Sequence, residues 1–206
     1  MKNTTLKNTV LAGLFAALTF AATYISIPLP ANGYANLGDC FVIISGIILG
    51  PFGTLAAAIG SALCDLVLGF VYYAPATFII KGIMAGIAFL IMGKKPLKYN
   101  ALKLIITVLI CELIMILGYF AFEIPLYGVG TALADIFGNS LQGLVGAVCT
   151  FTLYTVLFKT KIIEIITGDK TIKCVLLKTL HILKSPLHYS ADRRYWLCLP
   201  IYPLKK

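Results

Sequence analysis

Five ionisable residues lie inside or at the edge of apolar runs in this chain: Asp39, Asp65, Lys81, Glu112 and Asp135. A charge at the centre of a membrane helix costs about 2.5–3.5 kcal/mol on insertion scales, so such groups pair or line a cavity. The chemistry on offer is ion pairing, polar-ligand binding or proton carriage. Asn139 and Gln142 follow Asp135 by one and two helical turns, and Asn139, at i+4, shares its face. A polar row of this kind suits a pocket for a polar small molecule, or glue between helices. Glu112, in Ile110-Cys111-Glu112-Leu113, has no evident same-helix partner. It reads as a proton carrier, a ligand group or a packed neutral carboxyl. Asp39 opens an apolar segment and reads as its helix cap.

Other chemistries lack their residues. There is no G-x-x-x-x-G-K-S/T, no H-E-x-x-H and no G-x-S-x-G, the signatures of P-loop, zinc-protease and serine-hydrolase sites. A membrane enzyme would need a catalytic cluster, and the carboxylates are scattered, so no catalysis is expected. The six cysteines form no C-x-x-C, and the first four sit in apolar runs, as small buried residues do. His181 and His188 lie outside the apolar part of the chain. No metal and no cofactor are expected.

The elements that carry these residues are helices in a membrane. The chain has 206 residues, 60% apolar and 12% charged, with a mean hydropathy of +0.95. Soluble domains run near 45–50% apolar and about 25% charged. Six hydrophobic segments emerge, at about 8–27, 38–50, 51–73, 76–93, 101–122 and 129–158. Gly50-Pro51 separates the second from the third by a tight turn, because proline breaks the preceding turn of helix. The second segment is short for a full crossing. The apolar run Val10–Ile27 is longer than a signal-peptide core of about 7–15 residues, so the first helix is expected to be retained.

Lys2, Lys7, Lys94, Lys95, Lys98 and Lys159 fall in connections on one side, and the connections 28–37, 72–75 and 123–128 carry no Lys or Arg. The positive-inside rule then predicts an all-α integral membrane protein of six transmembrane helices with both termini cytoplasmic. Tyr24, Tyr34, Tyr72, Tyr73, Tyr119 and Tyr127 fall near the outer ends and suit an interfacial belt. Two regions are expected: a membrane domain over 1–159 and a basic cytoplasmic tail over 160–206. Of the formal charge of +9, the tail holds +6. Within it Ile172, Val175, Leu176, Leu180 and Leu183 recur at helical spacing, with lysines mostly opposite. This suits either a helix on an anionic membrane surface or an unordered extension. A basic balance decorating membrane loops gives no reason to expect a nucleic-acid partner.

Helix rise of about 1.5 Å per residue puts Asp65 some 21 Å above the inner end of its helix, and Lys81 about 8 Å below the outer start of its own. Asp135 falls at a similar depth. Asp65 and Lys81 could lock two helices together, or form with Asp135 a charged cluster open to the outside. The first helix carries Ala12, Gly13, Ala16, Ala17 and Ala21, two adjacent stripes that permit close helix contact.

The ordered set Asn36-Leu37-Gly38-Asp39, Leu49-Gly50-Pro51-Phe52-Gly53, Gly60-Ser61-Ala62-Leu63-Cys64-Asp65 and Tyr73-Ala74-Pro75-Ala76-Thr77-Phe78-Ile79-Ile80-Lys81-Gly82 resembles the substrate-binding S components of energy-coupling factor vitamin transporters. The riboflavin-transporter-type group is the nearest, over residues 8–159. The resemblance implies a six-helix subunit of an ATP-driven importer of the ABC type in the cell membrane. It would hold a vitamin near the outer face beneath a gating loop. Riboflavin comes first; a pyrimidine or pyridoxine-type vitamin stays open. A coupling membrane protein and two ATPase subunits would be the partners, docking on Ala12 and Ala16 or Ala17. The expected binding residues are Tyr34, Asn36, Asp65, Lys81, Asp135, Asn139 and Gln142, with Tyr34, Phe78, Tyr119 and Phe137 as candidate walls. The rival reading is a stand-alone secondary transporter with Glu112 or Asp135 as proton carrier.

Overall fold

The computed structural model describes residues 2–28, 34–93 and 99–167. Six helices form the bundle: α1 (Lys2–Tyr24), α2 (Gly38–Leu49), α3 (Pro51–Val67), α4 (Ala74–Met92), α5 (Ala101–Tyr127) and α6 (Val129–Lys159). A one-and-a-half-turn α7 (Ile162–Thr167) follows, and its Ile163 is buried in the core. Two three-residue strands, β1 (Ser26–Pro28) and β2 (Tyr34–Asn36), pair antiparallel between α1 and α2, with Ser26 opposite Asn36.

Helices α1, α4, α5 and α6 are long and apolar enough to cross a membrane. Their outward side chains, among them Val10, Leu90, Leu109 and Val148, are exposed hydrocarbon of the kind lipid covers. The protein is a multi-pass membrane protein. Helix α2 is different. It is apolar on all sides and buried almost throughout, as expected for a helix enclosed by others. Its twelve residues rise about 18 Å, short of a hydrocarbon core of about 30 Å. It is wrapped by α1, α3, α4 and α6.

The turn between α2 and α3 is the one expected. Gly50, at φ +60°, ends α2 and precedes α3, and Pro51 occupies the first turn of α3, where its missing N–H costs nothing. Two boundaries differ from the sequence reading. Helix α3 stops at Val67 rather than 73, because Gly69 takes φ +86° and the chain turns back through Phe70 to Tyr73. Helix α5 runs to Tyr127 with Pro125 inside its last turn, so Glu123 is helical and not in a loop.

Candidate functional site

Lys81 of α4 points into the protein and is 2% exposed. A buried ammonium needs a counterion, and Lys81 forms an ion pair with Asp39 in the first turn of α2. Asp39 is fully buried. Its second oxygen accepts a 2.7 Å hydrogen bond from Gln142 Nε2 of α6. Gln142 Oε1 accepts from Asn36 Nδ2 of β2 at 3.4 Å, and Asn36 Oδ1 accepts from the backbone N–H of Gly38 at 2.8 Å. One network thus ties α4, α2, α6 and the hairpin together.

This corrects two expectations. Asp39 does not cap α2: the residue before the helix is Leu37, and the side chain that takes the N–H of Gly38 at the helix start is Asn36. Asp39 lies one position inside the helix, where the macrodipole still favours a carboxylate, and its side chain turns inward because Lys81 faces it. The ion pair of Lys81 is with Asp39, where Asp65 was expected. Asp65 lies instead on the wall of a cavity that Lys81 also lines.

That cavity is partly open. It lies where the C-terminal ends of α1, α3 and α5 meet the N-terminal ends of α2, α4 and α6. Lys7, Lys103 and Lys159 are at the other ends of their helices. Asn36, Asp65, Lys81, Asp135, Asn139 and Gln142 all line it. Tyr34 is placed by its backbone in β2, and the side-chain role expected of it lies outside the described residues, as do the loop tip 29–33 and the tail from 168 onward.

Several lining residues were not anticipated. Glu123 of α5 is 2% exposed and accepts from Tyr73 Oη at 3.4 Å. Thr23, Ser61, Phe70 and Thr77 also contribute. Thr77 Oγ1 and Tyr119 Oη lie 3.0 Å apart, and the Tyr119 ring stands 5.5 Å from Lys81 Nζ. Tyr119 is a wall, as expected. Phe78 and Phe137 are not: they are 41% and 78% exposed, on the outward faces of α4 and α6. Tyr73 likewise leaves the belt and turns into the cavity, whereas Tyr24 and Tyr72 remain outward. A tyrosine after a glycine-containing turn carries no sequence signal of which way it faces. An acid two residues before a helix-interior proline was the available sign of Glu123.

Glu112 sits deeper. It is buried against Gly143 and Gly146 of α6, and neither carboxyl oxygen has a hydrogen-bond partner among the described residues. On α1 the two small-residue stripes separate. Ala12 and Ala16 pack against the core, with the Ala16 carbonyl against Gly60 of α3. Gly13, Ala17 and Ala21 face outward, and no atom comes near the position of a side chain on Gly13.

The family described as ECF-type riboflavin transporter, S component, matches residues 3–159. The chain belongs to this family. It is therefore a membrane transport subunit and not an enzyme: the substrate-binding component of an ECF importer. A protein of Pyrococcus woesei, described as an uncharacterized protein in the gap 3'region, is 31% identical over 134 residues, which cover 64% of this chain and 88% of that protein.

Proposed function

We propose that this S component captures a vitamin-sized molecule in the cavity between Asn36, Asp65, Lys81, Asp135, Asn139 and Gln142, at the outer face of the membrane. The observation that carries this reading is the convergence of polar side chains from α3, α4, α5, α6 and β2 on one partly open cavity. Ligand sites are concave, with a few convergent polar groups that fix orientation. The cavity lies at the helix ends whose connections carry no Lys or Arg, and the positive-inside rule supports an outward opening there. Riboflavin, named by the family description, is the first candidate substrate; pyrimidine and pyridoxine-type vitamins are the alternatives.

The partners are a coupling transmembrane subunit and two ATPase subunits, which supply the energy. Of the small-residue stripes on α1, the outward one is available for close helix contact, so docking falls to Ala17 with Gly13 and Ala21, while Ala12 and Ala16 serve packing within the bundle. Mass spectrometry of small molecules co-purifying with the detergent-solubilised protein tests the reading, followed by binding of a vitamin panel. A vitamin at one per chain supports it; no ligand and no binding across the panel overturns it.

A further inference from the structure

The cavity wall has a charge that bears on the ligand. Three carboxylates line it, Asp65, Glu123 and Asp135, from three different helices. Among the described residues Lys81 is the one basic side chain on the wall, and its charge is already matched by Asp39 behind it. Asp65 also sits in the last turn of α3, and Glu123 just before the last turn of α5, where the helix macrodipole adds negative potential. Glu123 and Asp135 are electrostatic neighbours across the α5–α6 contact.

A second observation is independent of this charge. Glu123 Oε2, Ser61 Oγ and Thr23 Oγ1 are buried on the wall with no hydrogen-bond partner among the described residues, and their residues are at most 3% exposed. Buried polar atoms are ordinarily satisfied, so these await partners from a ligand. A carboxylate oxygen accepts, and hydroxyls beside carboxylates do best with a ligand that can also donate.

We infer that the cavity reads its substrate through the substrate's own N–H and O–H donors, and rejects the form that carries a phosphate or carboxylate. This rests on the proposed function of the cavity and narrows it to neutral or protonated, donor-rich molecules. A phosphorylated vitamin must therefore lose its phosphate, in a phosphomonoester hydrolysis, before this protein takes it up. The geometry holds no substitute for a phosphate site: among the described residues the wall has no unmatched cation, and like charges brought together across an interface are strongly disfavoured.

The test is titration of the purified full chain with matched pairs: riboflavin and its 5′-phosphate, pyridoxine and its 5′-phosphate, thiamine and its monophosphate. The phosphorylated member of whichever pair binds is expected to bind at least about 100-fold more weakly, the scale set by like-charge juxtaposition. In E123Q and in D135N the ratio of the two affinities within a pair is expected to shrink by about tenfold each, as the removed charge requires, whatever the change in affinity for the unphosphorylated member. Equal or tighter binding of a phosphorylated member, or discrimination unchanged in both variants, overturns this inference and leaves the proposed function standing. Binding of no member of any pair, alongside no binding across the wider vitamin panel, overturns both.

Discussion

Lys81 and Asp39 form a buried ion pair across the α2–α4 contact, and Gln142 of α6 holds the second oxygen of Asp39 at 2.7 Å. The pair sits behind the cavity, so it orients Lys81 while neutralising it. Removing one partner strands a charge. Asp39→Asn or Lys81→Met is expected to destabilise the protein by about 3–5 kcal/mol, and the double variant to recover most of the loss. Thermal unfolding of the two single variants and the double variant in one detergent checks this; additive losses would count against the pair.

Gln142 links Asp39 to Asn36 of the hairpin. Gln142→Ala leaves both without that partner, at about 1–3 kcal/mol for a buried group left unsatisfied. Ligand affinity is expected to fall at least tenfold, together with faster proteolysis around residues 28–36 as the hairpin loses its tie to α6. Unchanged affinity and unchanged cleavage would show that the hairpin holds without it.

Glu112 carries two oxygens in the bundle interior that have no hydrogen-bond partner among the described residues. Glu112→Met removes that burden and is expected to raise stability by about 1–3 kcal/mol while uptake through the assembled importer continues. Loss of uptake with binding intact would instead give Glu112 a part in the transport step itself.

Two glycines and an alanine distinguish internal from external contacts. A side chain on Gly46 would strike the Ala85 carbonyl, so Gly46→Ala is expected to cost about 1–3 kcal/mol by overpacking. Gly13→Ala meets nothing and should stabilise α1 by up to about 1 kcal/mol. Ala17→Trp is expected to leave ligand binding unchanged and to abolish co-purification of the coupling subunit. Retained assembly would move the docking surface off α1.

Much of the protein was legible in its sequence. Hydrophobic run length reveals membrane helices, because bilayer thickness sets how many apolar residues a span needs. Lysine placement separates the two ends, and Gly50-Pro51 marks the α2–α3 turn because glycine alone reaches φ +60° cheaply and proline starts a helix well. Helical rise brought Asp65, Lys81 and Asp135 to one level, and all three line one cavity. What sequence could not decide was direction around each helix and pairing between them. Phe78 and Phe137 face outward while Tyr73 and Glu123 face inward, since in a membrane apolar side chains are at home on either face. Asp39 could cap or pair, and the choice fell to the position of Lys81 on another helix, 42 residues away. A buried charge takes the partner that the packed bundle brings to it, and that neighbour exists only once the helices have assembled.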